Sequence, residues 1–174
     1  MISVRQAQII DYDNVENFYR VLINSMKDSE YKPDWAMGVY PTERLLKDAI
    51  INETLFLAYS GNNLAGAMIV NHECEPAYEN VKWQINARKD EVAIIHLLGV
   101  APAFQGRGVA RQMAAYVVEQ CRKEGIKAVR LDVLKKNIPA AKLYLSAGFT
   151  YIDSVKIYYE DTGLTDFLLY ELVL

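Results

Sequence analysis

A chain of 174 residues, 52% hydrophobic and 24% charged, has apolar material for one core and too little for two, so a single domain over 1–174 is expected. A net charge of −3 without a basic cluster argues against a nucleic-acid partner, because phosphate recognition leaves a basic footprint. The two cysteines, Cys74 and Cys121, suggest neither a disulfide framework nor a metal site, and no signal peptide or long apolar span is read, so a cytoplasmic location away from membranes is expected.

Residues 3–9 read as an opening strand. A helix carrying Val15, Phe18, Tyr19, Leu22, Ile23 and Met26 follows, with Asp13 and Glu16 spaced as a capping box. Residues 27–40 mix Tyr31, Trp35, Met37 and Tyr40 with acids and are interrupted by Pro33 and Gly38, which fits an irregular cover. A second helix is expected over 42–52, then a hairpin of strands 55–59 and 64–71 around residues 60–63. The long connection 76–90 is a candidate for contact with a substrate, since long loops in small domains are often functional.

Residues 92–100 crowd apolar and β-branched side chains into a buried strand, stopped by Pro102. From Val109, apolar residues recur at helical spacing through Met113, Tyr116, Val117 and Cys121, and Gly125 suits the C-terminal cap. Between them lies Gln105-Gly106-Arg107-Gly108-Val109-Ala110. Small residues at a helix mouth let unpaired backbone N–H groups approach an anion, which suits a pyrophosphate; a turn using glycine for geometry alone explains the same six residues equally well. Neither the Rossmann nor the P-loop glycine pattern is completed here. Residues 127–134 alternate as a strand. Asn137 then caps a short helix, Pro139 fits its first turn, and Gly148 follows its end. Strands 151–159 and 165–174 complete about seven strands.

The succession of strand, Gln-x-x-Gly-x-Ala, helix, strand, Asn-x-x-Ala, Leu-Tyr and Gly-Phe resembles the GNAT superfamily of acetyl-coenzyme A-dependent N-acetyltransferases, most strongly over 92–150. The resemblance implies an α/β fold with a mixed, mostly antiparallel central sheet and helices on both faces. It also implies acetyl-CoA as co-substrate, no metal, and direct attack of an amine on the thioester in a splay between central strands. In similar proteins the strand ending at Leu98, Gly99 and Val100 bonds the pantetheine arm, and amides from Gly106, Arg107, Gly108, Val109, Ala110 and Arg111, after Gln105, cradle the pyrophosphate. Gly99 marks either a strand bulge or a close helix. Backbone N–H groups around Leu98 and Val100 would meet the oxyanion.

Asn137 and Tyr144 lie two turns apart on one helix, so both can face the cofactor. The resemblance assigns Asn137 to the pantetheine and sets Tyr144 near the sulfur, which makes Tyr144 the choice for general acid. A phenol of pKa ~10 still holds its proton when a thiolate of pKa ~8.5 departs. An alkylammonium of pKa ~10.4 needs a base. His96 is the leading side chain, expected on one face with Ile94, Leu98 and Val100; the alternatives are a core histidine, Glu73, Glu75, Glu91 or a water. Tyr31, Trp35 and Glu73 head the acidic and aromatic residues that would suit a small cationic amine; the alternatives are a protein amine, transfer of a different acyl group, and a catalytically silent coenzyme A sensor. Tyr158, Tyr159, Phe167 and Tyr170 would serve either a homodimer or the core.

Overall fold

The computed structural model describes residues 1–174. Strand β1 (Ile2–Gln6) leads into helices α1 (Tyr12–Ser25) and α2 (Glu43–Ile51), then into the hairpin β2 (Leu55–Ser60) and β3 (Asn63–Asn71). Strand β4 (Val92–Val100), helix α3 (Val109–Lys123), strand β5 (Ala128–Leu134) and helix α4 (Ile138–Ser146) follow, and β6 (Thr150–Tyr159) and β7 (Gly163–Val173) close the chain. The seven strands form one sheet in the order β1-β2-β3-β4-β5-β7-β6, antiparallel except where β4 meets β5.

Helix α1 buries Val15, Phe18, Tyr19 and Leu22, a single stripe at helical spacing, and α2 buries Leu46, Ala49 and Ile50. The Thr42 hydroxyl caps α2 by accepting the Leu45 N–H at 3.0 Å. The expected capping box at Asp13 is not the start of α1. Asp11 precedes the helix, accepting the Gln8 N–H and a two-pronged bond from Arg5, while Glu16 lies inside the helix and pairs with Arg20. Helices α1 and α2 cover one sheet face with Leu55, Leu57, Ile69 and Leu97; α3 and α4 cover the other with Ala93, Ile95, Val129 and Leu131.

Two irregularities make room for a site. The parallel β4–β5 ladder spans only Val92↔Ala128, Ala93↔Val129 and Ile94↔Arg130, after which the strands part. Strand β4 also carries a bulge, because the pairs Ile69↔His96 and Ala67↔Gly99 leave one extra residue on β4. The bulge falls at Leu97, whose φ is 51°, and its carbonyl accepts the buried Tyr19 hydroxyl at 2.8 Å. Gly99 serves another purpose. A Cβ there would lie 2.5 Å from Leu22 Cδ2, so glycine lets α1 close onto the sheet.

The bulge also corrects the expected facing of His96. Before it, Ala93 and Ile95 face α3 and α4; after it, Leu98 and Val100 do, so two-residue alternation does not carry His96 and Ile94 onto the face of Leu98 and Val100.

Candidate active site

At the mouth of α3 the backbone turns through Gly106 (φ 72°) and Gly108 (φ 77°), conformations that glycine adopts without steric penalty. The first backbone N–H in this stretch with an acceptor is that of Gln112, which donates to the Gly108 carbonyl at 3.1 Å. The amides of Gly106, Arg107, Gly108, Val109, Ala110 and Arg111 donate to no protein group. Six consecutive free donors at the positive end of a 15-residue helix form a receptor for an anion. The Arg107 guanidinium adds charge nearby, exposed above the Phe104 ring at 5.7 Å, and Gln105 braces the turn by donating its side chain to the Val100 carbonyl at 3.1 Å.

A groove of about 540 Å³ runs from these amides past Val100, Asn137 and Ala140. It shares those residues with a cavity of about 220 Å³ in the splay between β4 and β5. The cavity is walled by His96 to Val100 on β4, by Asp132, Val133 and Leu134 on β5, by Asn137 and Tyr144 from α4, by Trp35 and Tyr40 from the segment after α1, and by Tyr159, Asp161 and Phe167 from the last hairpin. Asn137 caps α4 by accepting the Ala140 N–H at 3.2 Å, which leaves its amide NH₂ uncommitted. Tyr144 is buried against Phe149 (5.4 Å between ring centroids) and Tyr170 (6.4 Å). Its hydroxyl makes no bond within the protein, and burial, reinforced by the charge of Asp132, pushes its pKa further up.

His96 is held rather than free. Its Nε2 lies 3.0 Å from Asn71 Oδ1 and 3.1 Å from the Glu73 carbonyl. Asn71 Oδ1 also accepts the Glu73 N–H, so both neighbours are acceptors and the imidazole proton sits on Nε2. Burial lowers His96 to about 4. Asp132, in contrast, has its carboxyl pushed up by burial, although the Tyr78 and Tyr159 hydroxyls donate to its Oδ2 at 2.7 and 3.1 Å. Tyr40 stacks on Tyr159 with ring centroids 6.4 Å apart. Burial, with the Asp132 charge adding to it, raises Glu75 next to this group, and burial raises Asp161.

A groove fed by free amides thus ends at a phenol in a strand splay. The family model for the acetyltransferase (GNAT) family matches residues 21–149. The chain belongs to that family. Among relatives, it is 39% identical over 70 residues to the ribosomal protein bS18-alanine N-acetyltransferase of Haemophilus ducreyi, covering 40% of this chain and 48% of that protein. It is 24% identical over 152 residues to the spore coat polysaccharide biosynthesis protein SpsD of Bacillus subtilis, covering 85% of this chain and 53% of the relative. The chain thus spans about half the length of these curated relatives. The fold matches a GNAT acetyltransferase from Streptococcus agalactiae with a TM-score of 0.75 at 20% identity, over 99% of this chain and 95% of that one. It also matches yncA from Salmonella typhimurium, solved with its cofactor acetyl-CoA, with a TM-score of 0.70 at 16% identity, over 99% and 94% of the two chains.

In this GNAT chain the residues singled out from sequence fall into three groups. Leu98, Gly99, Val100, Gln105, Asn137, Tyr144, His96 and Trp35 meet around the one cavity. Gly106, Gly108, Val109, Ala110 and Arg111 border the adjoining groove, and so does Tyr31, which is exposed and absent from the cavity wall expected of an acceptor residue. Glu73 departs furthest from expectation, since its side chain is exposed and only its backbone carbonyl meets His96. Of the four aromatic residues near the C-terminus, Phe167 and Tyr170 are buried, Tyr159 lines the cavity and Tyr158 is exposed. Asp132, Tyr159, Tyr40 and Asp161 were not foreseen. The available signal was an acid inside the otherwise apolar run Leu131-Asp132-Val133-Leu134.

Proposed function

We propose that this chain, acting as one domain, transfers an acetyl group from acetyl-CoA to a primary amine, with a small cationic amine as acceptor. The observation that carries the reading is the row of six unpaired amides at residues 106–111, opening onto a groove that leads past Asn137 to Tyr144. These residues fit the group: the amides and Arg107 would hold the pyrophosphate, Asn137 and the backbone of Leu98 to Val100 the pantetheine. The cofactor supplies an activated acyl thioester. Backbone N–H groups around Leu98 and Val100 would stabilise negative charge on the reacting carbonyl oxygen, and Tyr144 would give its proton to the departing sulfur. His96 suits the base role poorly. Burial lowers the pKa of its conjugate acid to about 4, and its Nε2 is committed to Asn71 Oδ1 and the Glu73 carbonyl.

Calorimetry with acetyl-CoA, followed by thiol release across a panel of amines, tests the reading. Expected are saturable binding and amine-dependent release of free thiol. Binding without release for any amine would point to a coenzyme A sensor, and no binding would end the proposal. A protein amine is the second reading, favoured by the 39% identity over 70 residues to an enzyme named for acetylating the alanine of a ribosomal protein. A peptide with a free N-terminus belongs in the panel for that reason. With no helix long and apolar enough to cross a membrane and both cysteines free, the proposal extends to a cytoplasmic setting.

A further inference from the structure

We propose that Asp132 receives the acceptor: its free carboxylate oxygen holds the ammonium group of a primary amine with an apolar or aromatic body, and takes its proton. The inference rests on the acetyl-transfer reading above and names the residue and ligand chemistry of the acceptor side.

The two buried carboxylates of the fold, Asp11 and Glu171, each have a cation. Asp11 is bonded by Arg5 at 2.7 Å and Glu171 by Arg130 at 2.8 Å. Asp132 has none, and neither lysine nor arginine lines its cavity. Both tyrosine hydroxyls that reach it fall on Oδ2, so Oδ1 has no donor within the protein. No fully buried side-chain oxygen or nitrogen lacks a partner in this fold, so Oδ1 opens on the cavity rather than being sealed in protein. A half-buried acid with one acceptor position open on a cavity can take a donor from a ligand.

The walls specify what kind of donor. Asp161 adds a second carboxylate, while Trp35, Phe167 and the stacked pair Tyr40 and Tyr159 supply aromatic surface. Aromatic faces and acids together attract a cation and repel an anion, and the remaining lining is mostly aliphatic. The cavity volume of about 220 Å³ suits a compact body. Asp132 and Tyr144 share this cavity, one at the acceptor side and the other where the sulfur would lie, so an amine held by the first is directed towards the second.

Burial that raises a carboxyl also lowers an ammonium, because both charged forms lose hydration. A proton passing from R–NH₃⁺ to Asp132 Oδ1 therefore leaves two neutral groups, which the apolar cavity favours. The freed nitrogen lone pair forms the bond to the acetyl carbon, and the carbon–sulfur bond breaks as Tyr144 gives its proton to sulfur. Tyr144 regains a proton from the nitrogen, and Asp132 releases the first one to solvent, so one proton is produced for each acetamide formed. The titratable groups facing Asp132 are Tyr78, Tyr159 and Glu75, with Asp161, Tyr40, Tyr144 and His96 around the same space.

The test uses 2-phenylethylamine and its neutral counterpart 2-phenylethanol on the full chain. In Asp132→Asn, kcat/KM for the amine should fall by about 10²–10⁴-fold while acetyl-CoA affinity holds. Calorimetry on the coenzyme A-loaded chain should show amine binding weakened roughly 10- to 100-fold by the substitution and 2-phenylethanol binding unmoved. Asp132→Ser, checked by thermal melting alongside Asp132→Asn, should lose turnover similarly. Wild-type turnover and amine affinity in either folded variant, with acetyl-CoA binding intact, overturns the role of Asp132 alone. A wild-type chain that binds no acetyl-CoA overturns the acetyl-transfer reading and this inference with it. One that acetylates a peptide N-terminus but never the small amine overturns the ligand class.

Discussion

Tyr144 and His96 are both enclosed polar side chains on the cavity wall, and their surroundings separate what they can do. Tyr144 keeps its proton at any physiological pH and lacks a partner within the protein, the state required of a group that must donate late in a reaction. Tyr144→Phe removes that proton and little packing, so turnover should drop roughly 10²–10⁴-fold with acetyl-CoA affinity nearly unchanged. Steady-state kinetics beside calorimetry read both quantities, and an unaltered rate removes the role. His96 is expected to act on stability instead. The folded chain keeps it neutral down to about pH 4, whereas the unfolded chain protonates it near pH 6.5. Between those values the unfolded state binds more protons, so this contribution is fully present above pH 6.5 and is lost as pH falls towards 4. It amounts to at most about 3 kcal/mol. His96→Gln keeps an N–H for Asn71 and the Glu73 carbonyl but does not titrate. Urea unfolding at pH 7 and at pH 4.5 should show a smaller pH-dependent loss for the variant than for the wild type.

Strand β5 shows why some elements could be read from sequence and some of their residues could not. The cap at Asn137, the glycines before α3 and the strand 92–100 depend on neighbours in sequence, and they form where local chemistry puts them. Alternation in 127–134 correctly indicates a strand, but it suggests a polar side facing water. Strand β5 is interior, flanked by β4 and β7, and its second face is covered by the segment 76–91. Arg130 and Asp132 therefore had to find partners in the fold, and those partners are 27 to 54 residues away in sequence: Glu171 for the first and two tyrosines for the second. The bulge at Leu97 was equally hidden, since the pairing of β3 with β4 and the Tyr19 bond that fix it are tertiary. Arg130 and Glu171 also fasten the covering segment. Glu171 accepts the Gln84 N–H at 2.7 Å, and Arg130 donates to the Ile85 carbonyl and lies 4.2 Å from the Trp83 ring. Glu171→Ala leaves the Arg130 charge buried without its partner and releases the strap that presents Tyr78 to Asp132. A loss of about 3–5 kcal/mol is expected in urea unfolding. A loss below about 1 kcal/mol would mean that the strap is held by Tyr78 and Trp83 packing instead.

Taken across the fold, charge is managed differently at two places on one face of the sheet. Asp11 is lowered chiefly by its bonds to Arg5, so that carboxylate supports the native state at neutral pH and ceases to do so in acid. Asp132, Glu75 and Asp161 are all raised, with burial the leading cause; Asp132 and Asp161 line one cavity and Glu75 stands beside Asp132. For a raised carboxyl the sign is reversed. Its stabilising contribution is complete below the unfolded pKa of about 3.9 and disappears as pH climbs through the folded value. At neutral pH these acids are therefore a source of instability that a bound cation would relieve. Asp132→Asn removes one of these charges while leaving a carbonyl for the tyrosine hydroxyls. Its melting temperature should exceed that of the wild type at pH 8, and the difference should shrink as pH is lowered towards 4. Thermal melts of both proteins across that range decide the matter: a variant less stable than wild type at pH 8 would mean that the ionised carboxylate is satisfied within the protein itself. A variant more stable and less active would identify the acid as a group kept for its ligand at the expense of the fold.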